Sequence, residues 1–404
     1  MKRILLGQLT ANGDCVYATI LARQLRHDNP DAHITWAVST QCAGLLKNNP
    51  DIDETWEIPA QGWNAHELVW RVFQREAVER CLRREFDEIL LSQIWPDNAR
   101  NYDGTVRPSI LRSFGRPISV PIENVIRVTD EEMEAVAAFV RDNSIEGFEH
   151  RILFECSSRS GQSFVTPDLA QDIADKLYAV LPNTTVIFTT SEPMTLRDKR
   201  SRYAGTLSLR EIAHLTHACS LFVGAGSGCT VLATSSAAKK LPFVLLLKAD
   251  TSVFASFAHD FEYFGIERPG IVEMTQEDPA RVAACIALVA CEGTVSALED
   301  FGGQIPVTFD HYGEVLDRTL LRQQRYLDAA RSLMTTADRY GWTEDLIRFG
   351  EGRIAPGLQR DPSWFFAHER AFGEDFRATL AEGARNPAPK TRQKSAKDQG
   401  ILLG

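Results

Sequence analysis

Short apolar runs alternate with helical segments in two separate parts of the chain, and this alternation constrains the fold more than any other feature. The first part begins with an apolar run at residues 4–9, a polar turn at residues 10–14, and apolar residues at helical spacing up to Leu25. The same alternation starts again near residue 151. Strands joined by helices form parallel sheets that are covered on both faces. The sequence therefore predicts an α/β protein with two doubly wound, Rossmann-like domains.

The length of the chain also predicts more than one domain. Single domains usually contain about 100–200 residues, and this chain has 404. We assign residues 1–144 to the first Rossmann-like domain and residues 145–305 to the second. The boundary follows a helix that is opened by a capping box at residues 129–132.

The rest of the chain predicts two further regions. Residues 306–385 contain apolar positions at helical spacing and many aromatic side chains, which predicts a helical extension that packs on the body of the chain or on another subunit. Residues 386–404 combine prolines with several lysines and arginines, which predicts a flexible basic tail. Such a tail is compatible with a weak peripheral contact to an anionic membrane surface.

Composition argues against several classes of function. A net charge of −10 argues against a broad nucleic-acid-binding surface, because phosphate binding needs clustered Lys and Arg. No run reaches about 18 apolar residues, so a membrane-spanning helix is not expected. The eight cysteines lack the spacing of a zinc site. They are therefore expected to be reduced thiols in a cytoplasmic protein, and no metal site is predicted.

Two interpretations of Asp14 follow from its place at the end of the first polar turn. Asp is a favoured N-cap residue, whose side chain satisfies free backbone N–H groups. In an open α/β sheet, however, the loop after a strand lies at the edge where ligands bind. A carboxylate at that edge can accept a proton from a hydroxyl group. The residues alone leave both interpretations open.

A glycine-rich loop follows a predicted strand of the second domain, with the sequence Gly224-Ala225-Gly226-Ser227-Gly228. Glycines let the backbone approach an oxyanion closely, and the start of a following helix favours negative charge. The loop is therefore a candidate phosphate site. A tight turn between a strand and a helix accounts for the same residues equally well.

Several of these segments together resemble the ADP-heptose:lipopolysaccharide heptosyltransferases, glycosyltransferase family 9. The resemblance covers the first strand, the Gly13-Asp14 turn and the first helix, then residues 29–36 and 45–53, and it returns at residues 208–233. It implies the GT-B architecture, in which two Rossmann-like domains face a shared cleft. It also implies that Asp14 is the general base and that Asn12 and Gly13 contact the acceptor.

The resemblance further implies a donor-binding loop in the second domain. This chain keeps three residues of the family's loop, Gly224, Ser227 and Gly228. It departs from the family pattern at Gly226, where the family has Asp, and at Val231, where the family has His. These departures concern the contacts to the donor, and so the identity of the donor sugar.

Three more residues are implied to contact the donor. In the loop after the first strand of the second domain, the family places a cation that binds the donor phosphates; this chain has Gln162 or Ser163 at that position, which is a second departure. Arg159 is the nearest cation, and an ordinary surface charge accounts for it equally well. A guanidinium group pairs well with phosphate. Glu192 follows the next strand and is similar in position to an acidic residue that binds the nucleoside ribose.

The implied activity is inverting, metal-independent transfer of a heptose-like sugar from an ADP-linked donor, without a cofactor. The implied acceptor is a cell-envelope glycan or a lipid-linked molecule, reached in the cytoplasm or at the inner face of the membrane. Two alternatives keep the same fold: a nucleotide-sugar epimerase or hydrolase, and a non-catalytic sugar-binding or assembly subunit. The aromatic extension could also serve as a surface for oligomerisation.

Overall fold

The structure is a computed structural model, and the residues that it describes are 1–60, 66–190, 192–267, 269–302, 305 and 307–388. The basic tail predicted for residues 386–404 therefore lies outside the described residues from residue 389 onward.

The first sheet contains four parallel strands in the order β3-β2-β1-β4. These strands are β1 (Arg3–Gly7), β2 (His33–Ser39), β3 (Glu54–Ile58) and β4 (Glu88–Leu91). The accompanying helices are α1 (Asn12–Tyr17), α2 (Thr19–Asp28), α3 (Thr40–Ala43), α4 (His66–Leu82), α5 (Val106–Arg112) and α6 (Asp130–Asp142). Three consecutive residues of β1 are fully buried, as expected for a central strand that is covered on both faces: Ile4, Leu5 and Leu6.

The second sheet contains six parallel strands in the order β10-β9-β8-β5-β6-β7. These strands are β5 (His150–Glu155), β6 (Thr184–Thr189), β7 (Ser201–Tyr203), β8 (Leu221–Gly224), β9 (Phe243–Leu246) and β10 (Ile271–Met274). The accompanying helices are α7 (Pro167–Val180), α8 (Leu209–Leu215), α9 (Gly228–Leu232), α10 (Ser252–Ala255), α11 (Phe257–Phe264), α12 (Pro279–Glu292) and α13 (Thr294–Asp300). When β5 is counted as the first strand of this domain, the order across the sheet is sixth, fifth, fourth, first, second and third. This is the doubly wound order. The predicted fold class is confirmed by these two parallel sheets.

The aromatic segment after the second sheet is helical and packs on the body of the chain. Its helices are α14 (Asp310–Thr319), α15 (Tyr326–Tyr340), α16 (Glu344–Phe349) and α17 (Ala367–Arg385). Phe376 is fully buried, and the rings of Trp364 and Trp342 lie directly over Gly373 and Gly383 of α17. No helix in the described part of the chain is both long and apolar enough to cross a membrane.

The structure corrects three boundaries that the sequence predicted. The segment 92–121, which its prolines and glycines made irregular, contains the helix α5. Pro108 is compatible with this helix because it lies in the first turn, where backbone N–H groups have no helical partner. The helix predicted from Cys229 to Lys239 ends at Leu232. The helical pattern predicted from about residue 311 to residue 339 is interrupted after Thr319, which divides it into α14 and α15.

Five charged side chains form a buried ion cluster between the two sheets and the extension: Asp103, Arg107, Arg112, Asp260 and Arg339. Asp103 pairs with Arg339 at 2.9 Å and with Arg112 at 2.7 Å. Asp260 pairs with Arg107, and lies 3.7 Å from Arg339. The first domain, the second domain and the extension each supply at least one member. The cluster therefore ties all three parts together beside the cleft.

Candidate functional site

The strand orders of the two sheets place their ligand-binding crevices at neighbouring positions. The strand order reverses between two neighbouring strands, which are β1 and the edge strand β4 in the first sheet and the central strands β5 and β8 in the second. Ligands bind at the carboxyl ends of such pairs. The loop with Asp14 follows β1, and the loop from Gly224 to Gly228 follows β8. Both predicted site loops therefore lie at the expected edge of their sheets.

The loop after β1 is held by a glutamine from the loop after β4. The side-chain oxygen of Gln93 accepts hydrogen bonds from the backbone N–H groups of Leu9 and Thr10, at 2.8 and 3.0 Å. The next residue, Ala11, has φ 66° and ψ 112°, a conformation that L-residues rarely adopt. Helix α1 begins directly after it. The loop is thus fixed in a strained shape just before Asp14, and strain of this kind is concentrated at functional sites.

Replacing Ala11 with glycine should stabilise the protein by about 0.5–1 kcal/mol. Relief of the backbone strain, worth roughly 1–2 kcal/mol, exceeds the entropic cost of a glycine, roughly 0.5–1 kcal/mol. Thermal denaturation measures the change. Ala43→Gly is the matched control, because Ala43 has an ordinary φ of −56° and its replacement should lower stability. Equal losses of stability in both variants would contradict the strain assignment.

Asp14 lies in the first turn of α1 but does not cap the helix. The capping position is Ala11, which has no side-chain cap hydrogen bond. Asp14 is partly exposed as a residue, while its carboxylate is surrounded by protein and has no hydrogen-bond partner among the described residues. Burial raises the pKa of Asp14 to about 7, and the nearby positive charge of Arg107 opposes the rise. A carboxylate with a pKa near neutral pH can exchange a proton with a hydroxyl group efficiently.

The loops of the two domains touch through glycines. A Cβ atom on Gly13 would lie 3.4 Å from the Cα of Gly228, and a Cβ on Gly228 would lie 3.0 Å from the Cβ of Asn12. Ser227 and Gly228 are partly exposed, as are Gly13 and Asp14. The structure therefore brings the predicted acceptor residues, the predicted base and the exposed end of the predicted donor loop to one place in the cleft.

A buried glutamate holds the glycine-rich loop in place through hydrogen bonds. Glu155, the last residue of β5, accepts hydrogen bonds from the Ala225 N–H at 2.7 Å, from the Thr230 hydroxyl at 2.6 Å, and from the Ser227 hydroxyl. The Gly226 N–H donates to the Thr230 hydroxyl oxygen at 3.1 Å. Burial raises the pKa of Glu155, and these hydrogen bonds oppose the rise. The N–H groups of Ala225 and Gly226 thus bind the protein itself, so a diphosphate would have to be held mainly by side chains around the loop.

The fold itself requires glycine at two positions of this loop. Gly224 is buried, and a Cβ there would lie 2.6 Å from the Thr230 hydroxyl oxygen. Gly226 has φ 69°, the left-handed conformation that favours glycine. Donor binding by Gly224 and Gly226 stays a prediction.

Gln162 connects the loops around this site. The Gln162 side-chain N–H donates to the Gly226 carbonyl oxygen at 2.9 Å. The backbone carbonyl oxygen of Gln162 accepts from the Lys248 backbone N–H at 3.0 Å. The side-chain oxygen of Gln162 is buried and has no partner among the described residues. An unpaired buried acceptor of this kind is uncommon in folded proteins and is a candidate for ligand contact.

Arg159 and Glu192 lie at the same edge of the second sheet, in the loops after the neighbouring strands β5 and β6. Both side chains are exposed. Glu192 follows β6, which lies between β5 and the edge strand β7. The Glu192 backbone N–H donates to the Thr190 hydroxyl oxygen at 3.3 Å. No described hydrogen bond or ion pair joins either side chain to Asp14 or Ser227. Their roles in donor binding stay predictions.

Sequence reasoning missed three residues that shape the site. Lys248 is an exposed cation just after β9, and the rule that drew attention to Asp14, a charge at the end of an apolar run, would have found it. Arg107 lies in the unrecognised helix α5. Glu155 lies at the end of a predicted strand, and nothing in the sequence around it indicates a role in the site.

Comparisons with known proteins were made at three levels. Neither a protein-family model nor a curated protein sequence matches this chain. Solved structures do match: a family 9 glycosyl transferase from Veillonella parvula is 16% identical, with a TM-score of 0.48, over 74% of this chain and 96% of its own. The ADP-heptose lps heptosyltransferase II of E. coli is 16% identical, with a TM-score of 0.49, over 73% and 100%.

A third match is a putative UDP-N-acetylglucosamine 2-epimerase from Listeria monocytogenes. It is 11% identical, with a TM-score of 0.46, over 74% of this chain and 90% of its own. All three TM-scores lie below 0.5, so the fold assignment rests on the chain's own strand order. The similar structures include members of the family that the sequence resembles.

Proposed function

We propose that this protein is a glycosyltransferase that moves a sugar from a nucleoside diphosphate to a hydroxyl group, with Asp14 as the general base. One observation carries the proposal: the carboxylate of Asp14, which has no hydrogen-bond partner among the described residues, lies where the loops of two doubly wound domains touch. Its pKa of about 7 suits proton transfer near neutral pH.

The reaction proceeds in one displacement. The acceptor oxygen attacks the anomeric carbon of the donor sugar from the side opposite the diphosphate, and its proton passes to the Asp14 carboxylate. The bond between the anomeric carbon and the diphosphate oxygen breaks, and its electron pair leaves with the nucleoside diphosphate. Attack from the opposite side inverts the configuration of the sugar.

The second domain stabilises the leaving diphosphate. Lys248 and Arg159 are exposed cations in the loops after β9 and β5, on the two sides of Gln162. Cationic side chains stabilise the negative charge that develops on a departing phosphate. Ser227 lies at the exposed end of the glycine-rich loop, and its hydroxyl would have to turn away from Glu155 to donate to the diphosphate. No metal ion or cofactor takes part in this scheme.

The substrates follow from the resemblance to family 9. The donor is an ADP-linked, heptose-like sugar, and the acceptor is a glycan or lipid-linked glycan of the cell envelope. Glu192 binds the nucleoside ribose, while Asn12 and Gly13 contact the acceptor. The protein works in the cytoplasm, at or near the inner face of the membrane.

One observation favours a second candidate, a non-catalytic subunit that binds sugar without transferring it. Glu155 accepts the Ala225 N–H of the glycine-rich loop and the Thr230 hydroxyl accepts the Gly226 N–H, which leaves fewer donors for a diphosphate. A chain that binds oligosaccharides but no nucleoside diphosphate would fit this candidate.

Calorimetry with ADP, UDP, GDP and dTDP tests nucleotide binding directly. Wild-type protein should bind at least one of them, and Lys248→Ala should weaken that binding about tenfold, because one charge-assisted contact is worth roughly 1.5 kcal/mol. Lys240→Ala is the matched control, because Lys240 is exposed at the opposite end of β9. Binding that is absent in wild type, or equally weakened by both variants, would contradict the proposed donor site.

A further inference from the structure

The helical extension forms a half-open cavity of about 870 Å³ that the proposed reaction does not use. It lies between α14 and the segment from α16 to Ile354, and its lining includes Tyr312, Glu314, Arg318, Arg348, Phe349 and Arg353. Cavities of roughly 300–1,000 Å³ are typical of small-molecule sites. A single sugar unit or a disaccharide is within that size.

The cavity lies beside both domains, because α14 and the turn after it contact elements that follow strands of each sheet. The His311 ring packs edge-on against Phe254 of the second domain, with ring centroids 4.9 Å apart. Arg325, just after α14, donates to the Asp97 carbonyl oxygen in the loop after β4, at 2.9 Å. Both contacts are made to loops at the carboxyl ends of the sheets. The helix that forms one wall of the cavity therefore spans the edge where the proposed reaction takes place.

The charges that line the cavity balance one another. Four arginines (318, 322, 348 and 353) face four acidic residues (310, 314, 317 and 345). Asp317 pairs with Arg322 at 3.2 Å and with Arg353, and Asp345 pairs with Arg348 at 3.3 Å. A strongly anionic or cationic ligand would gain little from such a lining. A neutral ligand that both donates and accepts many hydrogen bonds would fit it.

Two charged groups on α14 are available to such a ligand. Glu314 and Arg318 are exposed, and neither forms an ion pair or hydrogen bond with a described residue. Beside them the partly exposed Phe349 ring lies edge-on to the buried Tyr312 ring, with centroids 6.1 Å apart. An apolar ring surface next to hydrogen-bonding side chains complements the two kinds of surface on a sugar, its C–H face and its hydroxyl groups.

We infer that this cavity binds a neutral sugar unit of the acceptor glycan, and that Glu314 and Arg318 contact its hydroxyl groups. The inference rests on the proposed function, because the sugar that it assigns to the cavity is part of the acceptor of that reaction. It assigns to the extension the recognition of the glycan to which the new sugar is added.

Saturation-transfer NMR with a mixture of maltotriose, mannotriose and chitotriose tests the inference. Wild-type protein should transfer saturation to at least one trisaccharide. The double variant E314A/R318A should reduce that signal at least fivefold, because both hydrogen-bonding groups are removed from an exposed surface and the fold is kept. The control E134A/R141A removes an exposed ion pair on α6 and should leave the signal unchanged.

The outcomes separate this inference from the proposed function. Nucleoside diphosphate binding without trisaccharide binding, or a trisaccharide signal that E314A/R318A retains, overturns the inference and leaves the transferase proposal standing. Trisaccharide binding that E314A/R318A abolishes, in a chain that binds no nucleoside diphosphate, supports the cavity as a sugar site and contradicts transfer.

Discussion

Replacing Arg339 with methionine should lower the free energy of unfolding by about 3–5 kcal/mol, the usual cost of removing one partner of a buried ion pair. Both Arg339 and its partner Asp103 are fully buried. Arg339 also donates to the Thr105 hydroxyl at 2.7 Å and to the His259 carbonyl oxygen at 3.3 Å. Methionine fills a similar volume, so the loss reports mainly the uncompensated charge and the unpaired acceptors.

The electrostatics of Asp103 give this prediction a pH dependence. Burial alone would raise the pKa of Asp103, but Arg112 and Arg339 outweigh it and hold the pKa well below its usual value. A lowered pKa adds stability above the unfolded value of 3.8, and this stability is lost as the pH falls further. The difference between wild type and Arg339→Met should therefore be largest at neutral pH and shrink in acid.

Urea denaturation at pH 7 measures the effect of Arg339→Met. Arg141→Met is the control, because Arg141 forms an exposed ion pair on α6 that is worth less than about 1 kcal/mol. Equal effects of the two substitutions would mean that the buried ion cluster does not hold the domains and the extension together.

Replacing Asp14 with asparagine should increase stability at alkaline pH by about 1–4 kcal/mol. The folded protein holds the proton of Asp14 up to a pKa of about 7, whereas the ordinary pKa of an Asp side chain is 3.8. The folded state therefore binds more protons between these values, and stability falls as the pH rises through them. About three pKa units correspond to roughly 4 kcal/mol, and partial exposure of the side chain reduces this figure.

Thermal denaturation across the pH range measures this second effect. Wild type and Asp14→Asn should have similar stability at pH 4, and the variant should be more stable at pH 8.5. Asp31→Asn, which changes an exposed residue at the opposite end of the first domain, should show no such divergence. A variant that is less stable at pH 8.5 would mean that Asp14 serves the fold.

The sequence was sufficient to predict the parts of this protein that depend on local pattern. The apolar run at residues 4–9 and the helically spaced residues after Asp14 gave β1 and the first helices in the correct order. Repetition of the pattern gave the second sheet. The position of Asp14 at the edge of the first sheet followed from the order of strand and helix, because loops after parallel strands always lie at that edge.

Other features could not be read from the sequence because they depend on contacts between distant residues. Arg339 and Asp103 are 236 positions apart, and Arg107 and Asp260 are 153 apart. Such pairs leave no periodic signal. Glu155 ends a strand like many other residues, and its role is visible only when β8 lies beside β5. Helix α5 was missed because Pro108 is usually a helix breaker, yet it is accepted in a first turn.

The most direct test of the account is the rate of sugar transfer by Asp14→Asn, measured at pH 8 with the nucleotide sugar that calorimetry identifies and a cell-envelope glycan fraction as acceptor. General base catalysis typically contributes about 10²–10⁴-fold. The account predicts a loss of this size, with donor affinity unchanged and Asp31→Asn fully active. An Asp14→Asn variant that binds donor and transfers sugar at the wild-type rate would contradict it.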